Sequence, residues 1–294
     1  MRFSIIGIGR LGGALALALA DAGGEIEALV SRDPRSAAAI AGRLRPRPAV
    51  HSLESEFALG CDVVLITTAD QSIRRAADAL SGKLGKGAVV LHTSGSLPST
   101  ELEELKASGC VIGSLHPLVS VSSADTGRRA FGGVYFCVEG DAGAVRAGRR
   151  IAKMLGGRAF TVSTAKKPLY HLAAVASAGH LVALADVAFT LMTAAGLARS
   201  EARKILLPLM RSTLANLSVQ ETANALTGTF ARGDAAALER QIASLGEDAS
   251  ALEAEIFYDL AMRSLDIAAA SRRGDLSDIA SMRERLLIAK EKLR

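Results

Sequence analysis

"FSIIGIGRLGGALALALA", residues 3–20, decides the fold. A short apolar run suited to a β-strand leads into Gly7-x-Gly9-x-x-Gly12, and an Ala/Leu-rich helical pattern follows. Gly7 makes the tight turn, Gly9 lets the backbone approach a pyrophosphate, and Gly12 lets the helix pack closely on the strand. The helix begins with free N–H groups and a partial positive charge, which suits phosphate. Arg10 adds charge inside the loop and Leu11 closes it. Strand, glycine loop and helix in this order form a dinucleotide-binding fingerprint.

The same alternation continues outward. "EIEALVS", "DVVLITT", "GAVVLHT", "CVIGSLH" and "VYFCVEG" read as strands, with helical patterns at Leu11–Ala22, Pro34–Leu44, Gln71–Leu80, Pro98–Ala107 and Ala142–Leu155. The strands are continuously apolar rather than alternating, as strands covered on both faces are. The expectation is an α/β fold, a doubly wound and mostly parallel Rossmann sheet. After "RAFTVS" (158–163) no strand pattern remains. Helical periodicity runs to the end, broken at Gly196, Pro208, Gly228, Gly233 and Gly274. We therefore expect a dinucleotide-binding Rossmann domain over 1–163 and an all-helical second domain over 164–294.

Composition narrows the function. Of 294 residues 49% are hydrophobic but only 4% aromatic, so the core is aliphatic. The net charge of +5 is dispersed with no basic run, which argues against nucleic acid and fits a small anionic substrate. Cys61, Cys110 and Cys137 are too few and too scattered for a disulfide framework and indicate a cytoplasmic protein. Leu172–Ala198 is long enough to span a bilayer. His180 and Asp186 interrupt it, so the expectation is a buried domain helix and no membrane.

The second strand selects the cofactor. Ser31 and Arg32 stand at its end and Asp33 follows as a helix cap; a hydroxyl beside a guanidinium suits the 2′-phosphate of NADP. Thr67, Thr68 and Ala69 end the next strand of the domain, beside the cofactor. Ser94 belongs at the nicotinamide end and Ser96 next to substrate. His92 is there too, or is a buried histidine satisfied by backbone.

His116 precedes Pro117 at another strand end, displayed for proton transfer. Pro168 fits a first helical turn, so a helix begins near Lys167. Lys167 and His171 are four apart and share a face; Lys167 could clamp a carboxylate or protonate a carbonyl oxygen. His180 lies about half a turn round from His171, so no metal site is expected. Thr227 and Arg232, in "NALTGTFARGD", offer a hydroxyl and a guanidinium to an anionic substrate.

"IGIGRLGGALA", "VSR", "TTADQSI", "HTSGS", "GSLHPL", "LYHLAAVASAGHLVAL" and "ALTGTFARGD" together resemble a bacterial Rossmann-like family with a C-terminal helical domain of unknown function. That family is related to ketopantoate reductase, pyrroline-5-carboxylate reductase and 6-phosphogluconate dehydrogenase. The resemblance implies an NADP-linked reductase that pairs into a homodimer through its helical domain. In the wider superfamily a lysine with an asparagine four residues on is catalytic; Lys167 and His171 fall at that spacing. The expected activity is NADPH-dependent reduction of a small 2-oxo acid or related carbonyl of the ketopantoate type. The alternatives are an oxidoreductase acting on an imine or a prephenate-like ring, and a non-enzymatic NADP sensor.

Overall fold

The computed structural model describes residues 1–271 and 275–293, and of Arg128 the backbone only; Gly274 lies outside the described residues. The strands are β1 (Arg2–Ile6), β2 (Glu25–Val30), β3 (Ala49–His51), β4 (Val63–Ile66), β5 (Val89–His92), β6 (Val111–Pro117), β7 (Tyr135–Gly140) and β8 (Arg158–Thr161). The helices among them are α1 (Arg10–Asp21), α2 (Pro34–Ala41), α3 (Ile73–Leu80), α4 (Glu103–Ala107) and α5 (Ala142–Met154). Then come α6 (Lys167–Ala194), α7 (Arg199–Val219), α8 (Thr222–Ala225), α9 (Gly228–Arg232), α10 (Ala235–Asp248), α11 (Ala251–Ser271) and α12 (Leu276–Glu291).

The eight strands form one sheet in the order β3-β2-β1-β4-β5-β6-β7-β8. All neighbours are parallel except β6 and β7. Successive strand residues feed opposite faces, as the pleat requires. Phe3, Ile5, Val63, Leu65 and Leu91 pack with α1, α2 and α5. Ile6, Val64, Ile66 and Val90 pack with α3 and α4. A sheet buried on both sides explains why its strands read as unbroken apolar runs. The sequence reading missed β3, an edge strand of three residues and too short to show a pattern.

Register positions the site. Ile6 pairs with Ile66, Ile66 with His92, and His92 with Ser114. β1, β4 and β5 therefore end level along one edge of the sheet, and β6 runs three residues further, to Pro117. Strand order reverses at β1 and β4, where open α/β sheets bind their ligands.

Two compact units divide between Gly179 and His180, inside α6. Strands cease near residue 163 as the sequence indicated, but the start of α6 belongs with the sheet. In the second unit α10, α11 and α12 share a core around Leu238, Tyr258, Leu265, Met282 and Leu286. Gly196 and Gly233 take positive φ, +94° and +68°, at the ends of α6 and α9. Pro208 does not break its helix: α7 runs through it. The proline forfeits one backbone hydrogen bond, which an exposed helix can return to water.

α6 is not the buried helix that its composition suggested. Leu169, Leu172 and Val182 are 62%, 64% and 71% exposed. By length and composition the helix could cross a membrane. Its apolar residues occur all round it, and the single chain leaves most of them uncovered.

Candidate functional site

The glycine loop opens on a groove of about 400 Å³, lined by Gly7, Gly9, Ser31, Arg32, Thr68 and Ala69 among others. Gly7 has φ +96°, a conformation that other residues rarely adopt. A Cβ on Gly12 would stand 2.1 Å from the Gly7 carbonyl oxygen, so this contact of helix on turn exists only for glycine. A Cβ on Gly9 would meet no protein atom within 4 Å. It would project into open space at the start of α1, where Arg10, exposed, and Leu11, half-buried, occupy the first turn. The Thr68 hydroxyl is buried and has no protein partner. Phosphate oxygens would suit both features, so these residues fit a bound dinucleotide.

Ser31 is buried at the end of β2, and its hydroxyl oxygen accepts from the Asp33 amide at 3.3 Å. The serine proton stays free to donate. Asp33 caps α2, accepting from the Arg35 amide at 3.0 Å, and Arg32 is exposed beside it. Thr67 lines the groove too, and its hydroxyl donates to the Gly7 carbonyl at 2.5 Å, which braces the glycine loop.

Two expected ligands turn inward. The Ser94 hydroxyl donates to Asp70 at 2.8 Å and accepts from the Ser96 and Leu97 amides at 3.2 and 3.1 Å. That uses its hydrogen-bonding capacity within the loop. Ser96 donates to the same Asp70 oxygen at 3.0 Å. His92 is the buried kind: its Nδ1 accepts from the Ser94 amide and its Nε2 meets the Pro98 carbonyl at 3.0 Å. Burial, helped by the nearby Lys167 charge, pulls its pKa down to about 4.

Lys167 does not stand at a solvent-facing mouth. Its side chain is fully buried. The ammonium donates to the Ser94 carbonyl at 3.2 Å, to the Ser114 hydroxyl at 2.7 Å and to the Leu97 carbonyl. Three acceptors exhaust three protons, so none is left for a substrate carboxylate. Glu139 lies 3.6 Å away and is buried too. It accepts from the Ser99 amide and hydroxyl at 3.0 and 2.6 Å, and from Thr164 at 2.8 Å. Burial alone would raise the Glu139 carboxyl. The Ser99 and Thr164 hydrogen bonds and the Lys167 charge outweigh it and hold the carboxyl below the usual range. Burial pulls Lys167 down, with Glu139 opposing. The pair ties α6 to β7 and to the Ser94–Leu97 loop. Glu139 went unread in the sequence, although an acid in the apolar strand "VYFCVEG" is itself a signal of buried pairing.

What remains in the crevice is a cluster of rings. His116, near the end of β6, shares a 2.6 Å hydrogen bond between its Nδ1 and the Tyr170 hydroxyl. The His171 ring lies 5.8 Å from that of His116, edge to face at 75°. Its Nδ1 is buried without a protein partner. Gly95 makes the arrangement possible. A Cβ there would stand 2.5 Å from His171 Nδ1 and 2.9 Å from His116 Nε2. Burial, then repulsion from His171 and Lys167, lowers the His116 pKa to about 4, so the ring is neutral near pH 7. Burial also pushes the Tyr170 phenol well up. Tyr170 and Gly95 lay inside motifs quoted above, but sequence spacing gave them no role.

Thr227 and Arg232 lie in the second unit. Thr227 precedes α9 and Arg232 ends it, so the expected loop is a five-residue helix. Among the described residues no group of three or more His, Cys, Asp or Glu side chains could hold a metal.

Residues 2–94 match the family described as NADP oxidoreductase, coenzyme F420-dependent. The chain is an NADP-dependent oxidoreductase. Residues 134–264 match a domain of unknown function, DUF2520, so the chain joins an NADP-oxidoreductase domain to that helical domain. A solved protein of Thermotoga maritima is 26% identical with a TM-score of 0.72, covering 92% of this chain and 100% of its own. A Bacteroides fragilis protein, named as a candidate NADP oxidoreductase, is 21% identical with a TM-score of 0.70, covering 91% and 98%. A reductive aminase of Aspergillus terreus, solved with NADPH and ethyl levulinate, is 17% identical with a TM-score of 0.61, covering 97% and 98%. The last two likenesses are of fold. No functionally curated protein matches the sequence.

Proposed function

We propose that this oxidoreductase uses NADPH to reduce a small carbonyl compound or its imine, with His116 and His171 contacting the reacting group. The observation that carries the reading is the convergence of His116 Nε2 and His171 Nδ1 on the glycine of the "HTSGS" loop. That loop follows β5, two strands from the glycine loop and on the same sheet edge. NADPH, when bound, supplies a hydride. Gly9 and Thr68 would face its phosphates on the turn that Gly7 and Gly12 shape, and Ser31 and Arg32 would hold its 2′-phosphate.

The chain's own residues handle the proton. With His116 neutral and the phenol protonated, Tyr170 donates to Nδ1 and the ring carries its proton on Nε2. Nε2–H is then free to hydrogen-bond a substrate oxygen or nitrogen. As negative charge develops there, the Nε2–H donor stabilises it, while the Tyr170 hydrogen bond holds the ring in that tautomer. A donor placed in this way contributes about 10²–10³-fold. The 2-oxo acid preference read from the sequence drew on Lys167 as a carboxylate partner, beside Thr227, Arg232 and the family resemblance. Lys167 is committed elsewhere, so the reading widens to small carbonyls and imines.

The exposed apolar residues of α6 and α7, including Leu172, Val182, Ile205 and Leu209, support a second part of the reading. A second copy of the chain covers them in a homodimer. NADPH oxidation across a panel of 2-oxo acids, ketones and cyclic imines tests the activity, and sedimentation tests the assembly. Turnover of a carbonyl or imine by a dimer is expected. Tight NADPH binding with no turnover of either class would reject the proposed chemistry.

A further inference from the structure

We propose that Arg75 of α3 is the second half of the clamp on the 2′-phosphate of NADP, and that Glu54 is the anion it holds until the phosphate arrives. The sequence drew attention to Ser31 and Arg32 alone. In the folded chain Arg75 lines the nucleotide groove with them, reaching it from a different element, and Glu54 lines it from the segment after β3.

Three observations carry the assignment. First, Arg75 Nη2 lies 3.6 Å from Glu54 Oε1, with both side chains more than half exposed at 75% and 57%. An exposed pair at that separation is weak, so the guanidinium is available to a stronger anion. Second, both Arg75 and Arg32 act on the same carboxylate. Glu54 is held below the ordinary carboxyl range by the Ser52 hydroxyl first, and then by the charges of Arg75 and Arg32. One carboxylate in the groove therefore feels both guanidiniums, and Arg75 is paired with it directly. Third, Glu54 follows β3, the strand that pairs with β2, and Ser31 and Arg32 follow β2 itself. There a nucleotide with its pyrophosphate on the glycine loop places its adenosine ribose. A phosphate monoester carries close to two charges near neutral pH and three acceptor oxygens, and so displaces a single carboxylate from two arginines.

The clamp predicts discrimination between cofactors. NADH has no 2′-phosphate and gives Arg75 nothing to hold. NADPH displaces Glu54, and the released carboxylate then repels the phosphate weakly.

The test is calorimetric titration of NADPH, NADH and 2′,5′-ADP into the full-length protein and its Arg75→Ala, Arg75→Lys and Glu54→Gln variants. Arg75→Ala is expected to weaken NADPH and 2′,5′-ADP by about tenfold or more, one charge-assisted hydrogen bond, and to leave NADH unchanged. Arg75→Lys should recover part of the loss, and Glu54→Gln should tighten NADPH. Arg75 is exposed, so an unchanged melting temperature in Arg75→Ala checks the fold. Equal weakening of NADPH and NADH would place Arg75 against the adenine or the backbone phosphates and overturn the clamp. Unchanged NADPH affinity would overturn it as well. Wild-type protein that binds no NADPH would overturn the cofactor assignment and the clamp with it.

Discussion

Replacing Lys167 with methionine removes one charge of a buried pair and leaves the other in place. The side-chain volume is nearly kept, so the cost is electrostatic. Glu139, buried and held ionised by Ser99 and Thr164, would lose its counter-ion at 3.6 Å. Breaking a buried pair from one side costs about 3–5 kcal/mol. The Ser94 and Leu97 carbonyls and the Ser114 hydroxyl also lose their donor. For a unit of this size each kcal/mol lowers the melting temperature by about 2–4 °C, so a fall on the order of 10 °C is expected. Adding Glu139→Gln removes the stranded charge and should return a good part of the loss. A double-mutant cycle in urea, followed by circular dichroism, measures that coupling directly. The reasoning is refuted if Lys167→Met melts like the wild type while turnover disappears. Lys167 would then act on the substrate, as the sequence alone suggested.

Other outcomes follow from the same geometry. Tyr170→Phe should cut kcat by about tenfold or more while NADPH affinity holds, since the phenol bonds His116 and Tyr170 is not among the residues lining the nucleotide groove. Gly95→Ala should abolish turnover with NADPH binding intact, because its Cβ would fall 2.5 Å from the His171 ring; near-wild-type kcat would contradict the cluster. Gly12→Ala should abolish NADPH binding, measured by fluorescence titration, since the new methyl meets the Gly7 carbonyl at 2.1 Å. Stability should fall as pH drops from about 6.5 towards 4. His92 and His116 stay neutral in the fold down to about 4, while unfolded histidine protonates near 6.5. Each contributes up to about 3 kcal/mol at neutral pH that is lost across this window, and a flat melting temperature between pH 7 and 5 would refute it.

The Rossmann half was legible because local chemistry dictates it. Glycines that must turn, admit phosphate or touch a helix leave a spacing that survives in one dimension. β3 escaped because three edge residues carry no periodicity. The site was legible only in part. His116 and His171 drew attention as polar residues at element ends. The direction in which Lys167 points was not, because its neighbour Glu139 is 28 positions back in the chain, on β7. Spacing shows that two residues share a face of α6 but not whether that face meets the crevice or a strand. Ser94 and Ser96 were misread for a related reason. A hydroxyl at a strand end can serve the ligand or the loop that holds it, and only the acceptors around it decide. The long helix α6 erred the other way: an apolar composition demands a cover, but one chain's sequence does not say that the cover must come from that chain.

The measurement that reaches the central claim most directly is single-turnover NADPH oxidation by wild-type protein and His116→Ala, with the first compound the panel identifies as a substrate. NADPH affinity would be titrated in both. The account predicts turnover by the wild type, its loss by a factor of about a hundred in the variant, and equal NADPH affinity in the two. Undiminished turnover by His116→Ala would contradict it.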